Sequence, residues 1–256
     1  MGYSLGERVG IEVEFLSPYR VPELAGRIYR AFEGTYSVQD YIASSGYKRT
    51  RAEFETAEGI WKLMQDMSVK DANNSQVYGL ELISPPITDL SVLKNKLNSL
   101  NNLGCYINDT AGCHIHWDAP KSVKTLVGIL KMFYKIQDDL SAIHNIPKYR
   151  LEGYCKKFPP KFIEELEKLN AEDIRDVLNF ACWYARELQG DLVYDGMDNP
   201  RHPSRYYMLN YHSLILHNTI EFRLFNSSLE YNKIVQYVDW TRTVFKDFIE
   251  LDEREL

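Results

Sequence analysis

The sequence predicts an α+β protein whose mostly antiparallel sheet is covered by helices on one face. Two observations carry this expectation. Strand-like segments are scattered along the whole 256-residue chain, with helical patterns between them. Two of those strands, about 150 residues apart, share one design of apolar and charged residues in alternation, which argues for one sheet and one domain, residues 1–256. Composition agrees: 45% hydrophobic and 26% charged residues are the proportions of an ordinary globular chain.

In order, the expected strands are Arg8–Leu16, Trp61–Ser68, Tyr78–Ser84, Cys105–Asp109, Gly112–Asp118, Arg205–His212 and Thr219–Asn226. The expected helices are Val21–Phe32, Asp89–Leu103, Ser122–His144, Pro160–Leu169, Ala171–Gln189 and Asn232–Leu251. The last two space apolar residues by three and four, as an amphipathic helix does. Pro85-Pro86 ends a strand, and Asp89 or Ser91 can cap the helix beyond it. Glu33–Glu58 and Gly190–Ser204 read as long loops, suited to a lid or a binding role.

Thirty lysines and arginines stand against 36 acids, a formal charge of −6. Without a basic block, general nucleic-acid binding is not expected. No stretch approaches the roughly 20 apolar residues that span a bilayer, so no membrane partner is expected. The start of the chain lacks a secretory pattern. Cys105, Cys113, Cys155 and Cys182 show no C-x-x-C spacing. Reduced thiols and a cytoplasmic protein are the expectation.

Chemistry concentrates on alternate strand positions. Side chains at i and i+2 share a face, about 7 Å apart. Glu12 and Glu14 therefore lie opposite Ile11, Val13 and Phe15. Glu81 lies opposite Leu80 and Leu82, His114 and His116 opposite Cys113, Ile115 and Trp117, and Glu221 and Arg223 opposite Ile220, Phe222 and Leu224. Any one such pair is ordinarily a solvated face. Together, four carboxylates and two imidazoles among strong β-formers would repel unless a cation sat between them. Oxygen-rich donors suit Mg2+ or Mn2+. Arg223 beside Glu221 then calls for an anion, and a phosphate held between arginine and metal fits both. The residues read as a metal–nucleotide site.

The segments Arg-Val-Gly-Ile-Glu-Val-Glu-Phe, Gly-Leu-Glu-Leu-Ile-Ser-Pro-Pro, Ala-Gly-Cys-His-Ile-His and Asn-Thr-Ile-Glu-Phe-Arg-Leu-Phe-Asn resemble, in order, the motifs of the amidoligase family. That family is related to the carboxylate–amine ligases of the glutamine synthetase and glutamate–cysteine ligase superfamily. Trp61–Ser68, Arg205–Asn210 and Arg150 with Tyr154-Cys155-Lys156 are lesser matches, and the motifs span about Arg8 to Asn226.

The resemblance implies a glutamine-synthetase-like half-barrel with helices on its outer face, binding ATP and Mg2+ or Mn2+. It implies a ligase that joins a carboxylate to an amine through an acyl phosphate. By the same resemblance Glu14 and Glu81 hold one metal, and Glu12, His114 and Glu221 hold the metal that bridges the phosphates. Arg223 stabilises the transferring phosphoryl group, while His116 orients a ligand. Asp66 either touches a substrate or, with Ser68, caps a turn, and Arg150, Arg205 and Asn210 line the nucleotide or substrate pocket. Tyr206, Tyr207 and Tyr211 are candidates to stack adenine. Substrates, small or borne on a macromolecule, stay open, as does a homo-oligomer. Two rival readings stand beside the ligase: a metal-dependent hydrolase or oxygenase built on His114 and His116, and a non-catalytic ATP-binding scaffold.

Overall fold

The computed structural model describes residues 8–43, 46–169, 172–177, 179–180 and 202–254. It is α+β. Its strands are β1 (Val9–Ser17), β2 (Thr35–Ile42), β3 (Lys48–Thr56), β4 (Gly59–Gln65), β5 (Tyr78–Ile83), β6 (Gly112–Asp118), β7 (Leu209–Asn210) and β8 (Thr219–Asn226). They form one unclosed antiparallel sheet in the order β2-β3-β4-β5-β1-β6-β8-β7. The chain divides into two compact units, one made of Arg8–Ile115 and Phe225–Asp239, the other of the described parts of His116–Leu224 and Trp240–Leu256.

In the first unit, alternation in β1 sends Val9, Ile11, Val13 and Phe15 to a fully buried face. Register extends that face across neighbouring strands, through Val13–Leu82–Leu63–Ala52, all fully buried. Helix α1 (Val21–Ile28) covers it with Val21, Leu24, Ala25 and Ile28, one stripe of a helix. Beyond α1 a short 3-10 turn, Tyr29–Phe32, stacks the Phe32 ring 3.9 Å from that of Phe54. Helix α2 (Leu93–Asn102) adds Leu93, Leu97 and Leu100. It also lays Lys96 over the rings of Trp61 and Phe32 while the ammonium donates to the Val92 carbonyl at 2.9 Å. Asp89 caps the short 3-10 turn Leu90–Val92 that leads into α2, its carboxylate accepting from the Ser91 N–H at 2.8 Å, and neither Asp89 nor Ser91 caps α2 itself.

The second unit is built around helix α3 (Val123–Ile143), capped by Ser122, with Leu126, Ile129, Leu130, Phe133, Gln137 and Leu140 buried along one side. Gln137 makes two hydrogen bonds to the Phe158 backbone, at 2.7 and 2.8 Å, so this buried amide is satisfied at both ends. Helix α4 (Lys148–Glu152) and helix α5 (Pro160–Lys168) follow. Ile220, Phe222 and Leu224 of β8 are fully buried, and Phe222 meets Phe133 and Phe245 edge-on. Helix α6 (Ser213–His217) precedes β8, and helix α7 (Tyr231–Arg254) runs through both units.

Three expectations need correction. Glu33–Glu58 is not a loop: it holds β2 and β3, paired from Thr35–Glu55 to Ile42–Lys48. Nearly every residue of β2 is exposed, so apolar alternation was too faint to mark a strand. Cys105–Asp109 is not a strand, and only Tyr106 bridges to Leu16. Arg205–His212 contains a 3-10 turn, Pro203–Tyr206, and the two-residue β7. Most of the expected helix Ala171–Gln189, and the loop Gly190–Ser204 up to residue 201, lie outside the described residues.

Candidate active site

On the first unit's sheet, the face opposite the core carries the acids. Antiparallel register sets Glu14 directly across from Glu81, and Glu12 across from Ile83. Like charges at directly opposed positions destabilise a sheet unless a cation relieves them. His114 of β6 is placed between the two β1 acids: Nδ1 lies 2.9 Å from Glu12 Oε2 and Nε2 lies 3.5 Å from Glu14 Oε1. The other Glu14 oxygen accepts from the Gly112 N–H at 2.6 Å, and the Glu14 carbonyl accepts from Ser227 Oγ at 2.5 Å. Glu12, Glu14, Glu81 and His114 are thus brought onto one face of one unit.

The second unit carries the companion group. Asn210 of β7 is the register partner of Glu221, and its amide donates to Glu221 Oε2 at 2.6 Å. Arg223 donates through Nη1 to Glu221 Oε1 at 2.5 Å and through Nε to the Tyr154 carbonyl at 3.4 Å. His116 Nε2 stands 4.0 Å from Glu221 Oε1, and its Nδ1 is 3.1 Å from Thr219 Oγ1. Arg150, in α4 rather than a loop, is buried and donates to the Arg223 carbonyl at 2.7 Å. It therefore braces the β8 backbone at the residue whose side chain holds Glu221.

Burial sets these groups apart from a solvated face. Glu14 is 6% exposed, Glu221 4%, His114 3% and Arg223 8%. A surface Glu-x-Glu has no reason to be enclosed, and buried charges persist only with partners. A family model described as "Putative amidoligase enzyme" matches residues 6–245.

The chain belongs to the amidoligase family.

A family of amidoligases is one of ligases that form amide bonds. No curated protein and no solved structure matches this chain. The match covers every motif strand of this amidoligase-family chain, from the Glu12 strand to the Glu221 strand.

Other expected residues fall elsewhere. Asp66 accepts from both the N–H and the hydroxyl of Ser68, each at 2.7 Å, and so closes a turn after β4. Arg205 sits in the 3-10 turn, its guanidinium 5.3 Å from the Tyr206 ring centre. Tyr207 and Tyr211 are buried against Phe158 and Phe162, Tyr211 stacked and Tyr207 tilted, so they are core rings and not an adenine platform. Three supporting groups escaped sequence reasoning: the Gly112 N–H, Ser227 and Thr219. Only Thr219 carried a signal, since it shares the parity of Glu221 and Arg223 on β8.

Proposed function

We propose that this chain is an ATP-dependent carboxylate–amine ligase that uses Mg2+ or Mn2+ and passes through an acyl phosphate. The observation that carries the reading is the burial of Glu14 directly opposite the half-buried Glu81, within an amide-forming family. Hard oxygen donors with one imidazole fit magnesium or manganese, and the Glu14–Glu81 opposition gives such an ion a reason to bind. Glu14 and Glu81 would hold one ion; Glu12 and His114 of the first unit would be further metal ligands, as would Glu221 of the second. When bound, these ions neutralise phosphate charge and align the γ-phosphoryl group.

The chain's own groups do the rest. Glu12 fixes the His114 ring through Nδ1, leaving the orientation of Nε2 set by the strand. Arg223, tethered by Glu221 and by the Tyr154 carbonyl, is a preformed cation for the phosphoryl oxygens as charge moves onto them. Asn210 holds the other oxygen of Glu221, so that carboxylate cannot swing away. A substrate carboxylate attacks the γ-phosphorus and ADP departs. The amine then attacks the acyl carbon, inorganic phosphate departs with the bonding pair, and the amine's proton goes to solvent. Arg150 is assigned to holding Arg223 in place. Positioning and charge neutralisation suffice, which is why no nucleophilic serine or cysteine is needed. Family membership supports the ligase over the hydrolase and scaffold readings.

Calorimetric titration of Mg-ATP into the wild type and into Glu12→Ala and Glu221→Ala tests the reading. Magnesium-dependent binding that weakens at least about tenfold in both folded variants is expected. A folded wild type that binds no Mg-ATP would overturn it.

A further inference from the structure

The same sheet face that carries Glu14 and Glu81 changes sign two strands away. Register continues the Glu14–Glu81 row through Met64 to Arg51, and the Glu12–Ile83 row through Lys62 to Glu53. Arg49, two residues from Arg51 on β3, therefore points the same way, and Tyr41 is its partner on β2. The 3-10 turn after α1 and helix α2 pack on the opposite face, through Phe54 and Trp61.

These side chains are arranged, not merely exposed. Of the eight residues in β2, Tyr41 alone is half-buried. The Arg51 guanidinium lies 5.5 Å from the centre of its ring, which orients the planar fork. Arg51 Nε is 3.1 Å from Glu53 Oε1, and Arg49 donates to the Gln65 carbonyl at 3.4 Å, so each guanidinium is anchored at one edge. Lys62, half-buried, makes no ion pair with any described residue, although Glu53 is its register partner. Asp66, four residues along the chain, is turned to Ser68.

We propose that Arg49, Arg51 and Lys62, with the Tyr41 phenol, form a subsite for a second anionic group, a carboxylate or phosphate, on the substrate whose carboxylate is activated. The assignment to that substrate rests on the ligase reading above; the anion-binding chemistry does not. Strands lie about 4.8 Å apart, so the Arg51 and Glu81 backbones are roughly 10 Å from one another. That separation suits a substrate with acidic groups at both ends: one end meets the metal-binding acids and the other meets the cations. The nucleotide's phosphates need no such subsite, because its metal ions draw them to the carboxylates.

The test is binding of glutarate, against butyrate as the one-acid control, to the full chain with Mg2+ and without nucleotide at fixed ionic strength. Glutarate is expected to bind, butyrate not, and Arg49→Gln and Arg51→Gln each to weaken glutarate about tenfold or more. Arg51→Lys should restore part of the loss, and Arg27→Gln on α1 should change nothing. Inorganic phosphate in the same titration tells a phosphate preference from a carboxylate one. Glutarate binding no better than butyrate, or surviving both glutamine variants, overturns the proposal. So does loss of Mg-ATP affinity in Arg51→Gln, which would give the cations to the nucleotide. A wild type that binds glutarate but no Mg-ATP would instead sink the ligase reading and leave the anion site standing.

Discussion

At the scale of single residues, enclosure sets chemistry. The Cys155 thiol is buried and its pKa is pushed up to about 11 by that burial, against a smaller opposing pull from Arg150 and Arg223. Burial likewise raises Cys105 to about 11, with a hydrogen bond from Ser17 opposing it. Cys105, Cys113 and Cys155 are free and buried, and Cys182 lies outside the described residues. At pH 8 both raised thiols stay protonated and unreactive. Iodoacetamide should therefore label Cys105 and Cys155 far more slowly in the folded protein than in guanidinium, as read by peptide mass spectrometry; equal rates would contradict the burial. The linkage runs one way. From about pH 9, where unfolded thiols ionise, to about pH 11, the folded chain holds more protons, so stability falls as pH rises through that window.

Elements hold the acid face in place through close fits. A Cβ on Gly79 would lie 2.1 Å from the Val69 carbonyl oxygen and 2.4 Å from that of Asp66. The segment after β4 thus crosses directly over β5, where Val69 packs on Leu16 and Ala111. Gly79→Ala is expected to cost about 1–3 kcal/mol and to displace the Asp66–Ser68 turn, seen as a lower urea midpoint together with exchange broadening of the Ser68 amide. An unchanged midpoint would mean that the segment yields freely. On the core side, Phe54 is fully buried against Phe32. Phe54→Ala should cost about 3–5 kcal/mol, measured by chemical denaturation, since the covering 3-10 turn cannot collapse fully into the gap.

For the molecule as a whole, a net charge of −6 coincides with a buried acid group, so a divalent cation should bind and stabilise the folded state. Mn2+ is expected to raise the melting midpoint of the wild type by a few degrees, on a scale of about 2–4 °C per kcal/mol for a chain of this size. EDTA should reverse the rise, and Glu14→Ala should remove most of it. A wild type whose midpoint ignores both Mn2+ and EDTA would count against metal binding at Glu14 and Glu81. Among the described residues no helix is long and apolar enough to cross a membrane.

The motif strands were legible because their period of two is strict. Ile-Glu-Val-Glu-Phe and Ile-Glu-Phe-Arg alternate without a break, and β6 and β8 run over the residues the alternation marks. The parity of Glu12, Glu14, His114, Glu221 and Arg223, and the family, follow from local sequence alone. The hairpin of β2 and β3 did not, because Thr35–Ile42 is exposed along nearly its whole length and leaves no apolar stripe to read. Nor could local sequence say that Arg150 braces the β8 backbone from 73 residues away, or that Tyr207 and Tyr211 belong to the core. Sequence by itself determined which face each acid takes, since side-chain direction in a strand is set by the neighbouring backbone. Only the tertiary structure decided which acid stands opposite which, and which are enclosed. Register and burial depend on strands distant in the chain, and those distances are settled by packing.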